Sequence, residues 1–143
     1  MADNRPIGVF DSGVGGLTVA REIFRNLPNE KIIYYGDTAR VPYGNKSRET
    51  IIRYSRQITR FLQSKGVKAI VIACNTASAL ALNAVQEITE IPVIGVVKPG
   101  AEAAVHATRT GRIGIIGTTG TIASGLYDHY IREYLPSAQV FGR

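Results

Sequence analysis

The chain has 143 residues, of which 45% are hydrophobic and 20% charged, a balance that predicts a folded globular protein and excludes a disordered tail. No apolar run reaches the ~18 residues that cross a bilayer, and no secretion signal is present, so we expect a cytoplasmic protein without a membrane partner. The net charge is +6, but the basic residues are spread over helix-like stretches with few aromatic residues among them, which disfavours a nucleic-acid partner.

Short apolar runs alternate with longer amphipathic stretches along the whole chain. The runs predicted as strands are residues 7–10, 31–35, 69–73, 92–97 and 112–117. The stretches predicted as helices are residues 17–27, 48–63 (after an N-cap at Ser47), 75–89, 100–108 and 122–134. Strict alternation predicts an α/β fold with an open, doubly wound parallel sheet, in which ligands bind beyond the carboxyl ends of the strands.

One segment near the start of the chain has a similar counterpart near its end. Residues 7–13 resemble residues 113–119, and each segment is followed by a helix that ends in Leu-Pro. We therefore expect a first domain at residues 1–97 and the truncated start of a second, similar domain at residues 98–143. A half-built second sheet leaves an uncovered edge, which would allow self-association into a homodimer.

The only cysteine, Cys74, follows the third predicted strand and begins the next helix. The positive end of a helix dipole stabilises a thiolate there, and Asn75 and Thr76 offer donors for a carboxylate. The alternative is a small buried cysteine that packs the end of a strand. Asp11 and Ser12 stand at the equivalent point after the first strand. Asp11 either exchanges a proton with the thiol or only caps the helix that follows.

Two further polar segments fall at the same edge of the predicted sheet. The loop at residues 37–44 is too long for a minimal connection, and long loops at a ligand-binding edge are more often functional than not. Thr118, Thr119 and Thr121 follow the fifth strand, where they either present hydroxyls to a carboxylate or cap the last helix. The cysteine and the two histidines have no metal-ligand spacing, so no metal is expected.

Three motifs, in this order, resemble those of glutamate racemases: residues 11–17, residues 36–44 and residues 73–79. The resemblance implies two pseudo-symmetric flavodoxin-like domains with glutamate bound between them. It implies an isomerase that interconverts L- and D-glutamate without pyridoxal phosphate or another cofactor and supplies D-glutamate for peptidoglycan, and so for cell wall biogenesis and cell shape.

The resemblance also implies roles for individual residues. Cys74 matches the catalytic thiol that removes the α-proton of D-glutamate, and Asp11 matches a residue that assists it. The positions that match the substrate site are Ser12, Pro42, Tyr43, Gly44, Asn75, Thr76, Thr118 and Thr121.

Inverting a carbon centre without a cofactor requires a base on one face and an acid on the other, and two thiols meet that need. The resemblance implies a second cysteine beyond Arg143, together with a later segment that completes the first domain. We therefore expect this chain alone to lack racemase activity. The alternatives are an aspartate racemase, a one-cysteine decarboxylase, or a chain that binds dicarboxylates without turnover.

Overall fold

The computed structural model describes residues 3–143 of the chain. Its strands are β1 (Ile7–Asp11), β2 (Ile32–Gly36), β3 (Ala69–Ile72), β4 (Val93–Gly95), β5 (Arg112–Ile115) and β6 (Gln139–Gly142). Its helices are α1 (Leu17–Asn26), α2 (Arg48–Ser64), α3 (Asn75–Gln86), α4 (Val97–Ala107), α5 (Thr119–Ala123) and α6 (Leu126–Tyr134). Among the described residues, no helix is both long enough and apolar enough to span a membrane.

The first four strands form one parallel sheet in the order β2-β1-β3-β4. The side chains of β1 alternate between the two faces: Phe10 packs into a core beneath α2 and α3, whereas Val9 packs with α1 residues on the opposite face. With helices on both faces, both sides of the central strands are buried. This arrangement confirms the doubly wound parallel α/β fold.

Helix α2 shows how the sequence builds this core. Ser47 caps its first turn, because the Ser47 hydroxyl accepts a hydrogen bond from the Thr50 amide at 3.2 Å. Ile51, Ile58 and Leu62 recur at helical spacing and are at most 1% exposed. Burying each such side chain stabilises the fold by about 1.5–3 kcal/mol. The predicted start and apolar stripe of this helix are confirmed.

The elements after β4 form a second, smaller packed unit, called the second layer below. The first layer is the four-stranded sheet together with α1 to α3. Strands β5 and β6 pair in parallel, and helices α4 and α6 pack together against them. The core of this layer is small and consists of Ala101, Ile113, Ile131 and Ala138.

Three predicted helices differ from those observed. Helix α3 ends at Gln86 and not at residue 89. Helix α4 begins at Val97 and not at residue 100, because Pro99 lies in its first turn, where a missing amide hydrogen costs nothing. The single helix predicted over residues 122–134 is wrong. Gly125 adopts a left-handed backbone with φ of +66°, which ends α5 and starts α6 in a new direction.

Candidate active site

A cleft of about 530 Å³ opens beyond the carboxyl ends of β1 and β3. Asp11 is the last residue of β1, and Cys74 lies two residues after the end of β3. Six of the residues predicted for the site line this cleft: Asp11, Ser12, Cys74, Asn75, Thr76 and Thr118. The parallel sheet therefore brings together side chains from distant parts of the sequence, as its geometry requires.

Asp11 is buried at 7% exposure and holds the backbone that leads into α1. Its Oδ2 accepts hydrogen bonds from the amides of Gly13 at 3.1 Å and Gly16 at 3.0 Å. A Cβ added at Gly16 would lie 2.6 Å from the Asp11 Cβ, so only glycine fits this approach. Asp11 therefore binds the turn that leads into α1 and does not cap the helix itself, whose N-cap is Gly16. The same contacts hold its carboxylate at the wall of the cleft.

Cys74 occupies the N-cap of α3 and is 5% exposed. Its Sγ accepts a hydrogen bond from the Ala77 amide at 3.4 Å, which is the helix N-terminal contact that the sequence predicted. Burial nevertheless raises the pKa of the thiol above its ordinary value, and the negative Asp11 raises that pKa further. Hydrogen bonds from Ala77 and Ser12 oppose this shift without reversing it. Desolvation outweighs the helix terminus here, so the resting group is a thiol.

The loop at residues 37–44 is held by a buried carboxylate. Asp37 is 3% exposed, and its Oδ2 accepts hydrogen bonds from the Tyr43 hydroxyl and from Arg40 Nε, the latter at 2.7 Å. Arg40 also donates to Gln57 Oε1 at 2.6 Å and lies over the ring of Tyr54 at 3.9 Å from the centroid. Burial and the Asp37 contact raise the pKa of Tyr43, so the phenol stays protonated and donates.

Three threonine hydroxyls link α3 to α5 at one side of the cleft. Thr118 Oγ1 lies 2.8 Å from Thr76 Oγ1 and 3.0 Å from Thr121 Oγ1, and it caps α5 by accepting from the Thr121 amide at 3.3 Å. Thr118 is therefore the N-cap of α5 and also lines the cleft, whereas the presentation of its hydroxyl to a carboxylate stays a prediction. Thr119 is the exposed first residue of α5 and does not line the cleft.

Four of the predicted positions stand outside the cleft wall: Pro42, Tyr43, Gly44 and Thr121. Tyr43 is 2% exposed and belongs to the core beneath the sheet, and Thr121 is 3% exposed. Gly44 presses against the second layer, since a Cβ there would lie 2.6 Å from the Cβ of Thr118. Tyr43, Gly44 and Thr121 thus pack around the cleft, and their roles in binding stay predictions.

Sequence reasoning missed Tyr127. It lies in the first turn of α6 and lines the cleft, and its hydroxyl donates to Asn75 Oδ1 at 2.6 Å. The two residues are 52 positions apart, and no motif or spacing in the sequence connects them.

The site combines a protonated thiol, a fixed carboxylate and several hydrogen-bond donors in one cleft. A thiol and a carboxylate in proximity are suited to moving a proton, and amide and hydroxyl donors are suited to holding a carboxylate ligand. Among residues 3–143, no three His, Cys, Asp or Glu side chains cluster as a metal site would require.

Comparison with known proteins agrees with this chemistry. The sequence model of the Asp/Glu/hydantoin racemases matches residues 7–142. A glutamate racemase of Geobacter metallireducens is 55% identical over 97% of this chain and 52% of its own length. The glutamate racemase isoform of Bacillus anthracis superposes with a TM-score of 0.94 at 49% identity, over 99% of this chain and 53% of that one.

A third comparison includes a bound ligand. The glutamate racemase of Francisella tularensis, whose crystal structure contains D-glutamate, superposes with a TM-score of 0.89 at 48% identity, over 99% of this chain and 53% of that protein. The chain thus spans about half the length of these relatives. The resemblance identified from the three sequence motifs is confirmed.

Proposed function

The chain belongs to the Asp/Glu/hydantoin racemase family, and from that premise we propose that it takes part in the cofactor-independent racemisation of glutamate. The observation that carries this proposal is the cleft in which the Cys74 thiol, the Asp11 carboxylate and a set of amide and hydroxyl donors meet. The D-glutamate bound in the Francisella tularensis relative supports glutamate as the substrate. The biological role we propose is supply of D-glutamate for peptidoglycan.

The proposed reaction starts from the protonated thiol. Asp11 takes the proton from Cys74 Sγ, and the resulting thiolate removes the α-proton of D-glutamate. The electrons of the broken C–H bond pass to the α-carboxylate, which becomes more negative. Donors such as the Asn75 amide and the Thr76 hydroxyl stabilise that charge, and such preorganised stabilisation is usually the largest single contribution to catalysis.

Burial serves this chemistry. The α-proton of an amino acid is very weakly acidic, so its removal needs a base that is not solvated by water. Cys74 is 5% exposed and has a raised pKa, so its thiolate, once formed, is a stronger base than that of an exposed cysteine. Asp11 is held by two backbone amides at the cleft wall, which keeps it in place to receive the proton.

Completing the inversion requires an acid on the opposite face of the substrate. The 143 residues contain one cysteine, so the second thiol of a two-thiol mechanism is not among them. We propose that this chain supplies the half of the site that acts on D-glutamate.

The proposed domain division follows the same logic. Strand β4 ends at Gly95 and α4 starts at Val97, so the break between these elements lies one or two residues before the proposed boundary at residues 97 and 98. Helix α4 packs with α6 of the second layer, and this packing supports its assignment to the second domain. The homodimer and the cytoplasmic location stay predictions.

Exchange of the α-proton in heavy water, followed by NMR with D- and L-glutamate separately, tests the proposal. We expect exchange of D-glutamate by the wild-type chain and none by Cys74→Ala, with D-aspartate and a malonate as substrate controls. Conversion of D- to L-glutamate would show a second acid within these residues and overturn the one-thiol assignment. A folded wild-type chain without exchange would overturn the proposed half-reaction, and decarboxylation of the malonate would favour the decarboxylase alternative.

A further inference from the structure

Tyr127 joins the two layers of the protein at the cleft. Its hydroxyl donates a hydrogen bond of 2.6 Å to Oδ1 of Asn75, the first residue of α3 and the neighbour of Cys74. The Asn75 side chain is itself exposed, so the Tyr127 contact is what restrains its amide group. The restraint comes from α6 of the second layer and acts on a residue of the first sheet.

The direction of this hydrogen bond decides what Asn75 offers to a ligand. A carboxamide has one acceptor oxygen and two N–H donors, whereas an ionised carboxylate only accepts. When Tyr127 occupies Oδ1, the Nδ2 donors are left for a ligand. In the flipped amide, Oδ1 would face the ligand and repel a carboxylate. In this structure the Tyr127 hydroxyl donates to Oδ1, and burial raises its pKa, so the donated proton is retained.

The Tyr127 ring is held by its own layer. It packs against the small core around Ile131, and its hydroxyl lies close to α4 at Gly100. A Cβ added at Gly100 would lie 3.1 Å from that hydroxyl oxygen, a distance at which the ring must give way. Residues of α4 and α6 therefore pack around the ring that carries the donor.

We propose that Tyr127 is a positioning residue that fixes the Asn75 amide with its N–H donors towards a carboxylate ligand in the cleft. The inference rests on the proposed function only for the identity of that ligand. It gives the second layer a role in the site beyond the hydroxyl of Thr118.

Two measurements on the whole chain test this role. The first is the pair of side-chain amide resonances of Asn75 in a heteronuclear NMR spectrum, identified by their loss in Asn75→Ala. We expect Tyr127→Phe to shift this pair in the ligand-free protein, because the bond to Oδ1 is gone. Tyr130→Phe is the matched control. Tyr130 lies on the same helix, and its hydroxyl forms no hydrogen bond in the described part of the chain.

The second measurement is the affinity for D-glutamate by NMR titration. Tyr127→Phe removes the hydrogen bond that orients the Asn75 amide. We therefore expect it to bind D-glutamate about fivefold more weakly, whereas Tyr130→Phe is expected to bind as the wild type does. In the Asn75→Ala background, Tyr127→Phe is expected to have no further effect. An equal loss in that background would mean that Tyr127 acts through the fold or touches the ligand directly, and would overturn the inference.

The amide resonances keep the two proposals separable. If the wild-type chain binds no D-glutamate, the proposed function fails. Unchanged Asn75 resonances in Tyr127→Phe would overturn the positioning role alone.

Should Tyr127→Phe fold poorly, Gly100→Ala is the second variant, because it keeps the Tyr127 hydroxyl but places a methyl group 3.1 Å from it. We expect that variant to shift the same Asn75 resonances, and an unchanged pair would again overturn the inference.

Discussion

The hydroxyl of Thr76, in the first turn of α3, lies 2.8 Å from the hydroxyl of Thr118, the N-cap of α5. This hydrogen bond joins the two layers beside the thiol of Cys74. The layers also approach closely at Gly120, where an added Cβ would lie 3.2 Å from Leu80 Cδ1. Small residues and hydroxyls at this seam let α5 pack closely enough on α3 to complete the cleft wall.

Gly44→Ala tests how closely the loop at residues 37–44 packs against Thr118. The new methyl group would lie 2.6 Å from the Cβ and Cγ2 of Thr118, so the loop or α5 must move. Overpacking of this kind costs about 1–3 kcal/mol. We expect lower stability in urea unfolding and weaker binding of D-glutamate. Gly114→Ala is the control, because no heavy atom lies within 4 Å of an added Cβ there. Equal stability of the two variants would contradict the prediction.

Tyr43→Phe tests the hydrogen bond to Asp37 inside the protein. The phenylalanine ring fills the same space, but Oδ2 of the buried Asp37 loses one of its hydrogen-bond donors. Leaving a buried group short of a partner costs about 1–3 kcal/mol. We expect that loss in the free energy of unfolding, measured with urea. Tyr54→Phe removes a hydroxyl that forms no hydrogen bond among residues 3–143, and a similar loss there would refute the explanation.

Arg40→Met tests the ion pair that holds the same loop. Methionine keeps much of the apolar stem but removes the charge beside Asp37, whose side chain is 3% exposed, against 28% for Arg40. Hydrogen bonds to charged groups contribute about 1.5–3 kcal/mol, and partial exposure of Arg40 places the expected loss at the lower end. Urea unfolding measures it. Arg53→Met is the control, since Arg53 is exposed and only lies near the ring of Tyr54. If Arg40→Met leaves the free energy of unfolding unchanged, this ion pair does not stabilise the loop.

The ionisation of Cys74 predicts how its reactivity depends on pH. Because burial raises the pKa of the thiol, alkylation by iodoacetamide is expected to stay slow at neutral pH and to accelerate only above the ordinary pKa of a free cysteine. The negative charge of Asp11 raises the same pKa, so Asp11→Asn removes that contribution and lowers it. We expect faster alkylation of this variant at a fixed pH below the pKa.

The same variant separates reactivity from catalysis. Asp11→Asn removes the group that we propose accepts the thiol proton, so exchange of D-glutamate is expected to fall while alkylation rises. An alkylation profile that is unchanged by the substitution would show that Asp11 does not influence the thiol. The Asn side chain retains an oxygen that can accept from the amides of Gly13 and Gly16, which keeps the start of α1 in place.

The sequence alone was sufficient for the fold class and for placing Asp11, Ser12 and Cys74 at the strand ends. Alternating short apolar runs and amphipathic stretches are local patterns, so they identified the parallel sheet and the cap at Ser47. Parallel strands share one carboxyl edge, and for that reason Asp11, Ser12 and Cys74 could be expected in one place. The family motifs added the proposal of glutamate as the substrate, which local patterns cannot supply.

Other features of the site were decided only by tertiary packing. Nothing near Asn75 in the sequence indicates that Tyr127 binds it, because that contact depends on where Gly125 turns the chain and on how α6 packs on α4. The direction in which the pKa of the Cys74 thiol shifts likewise could be determined only from the structure. The helix terminus is visible in the sequence, but the degree of burial that outweighs it is set by residues packed from several elements at once.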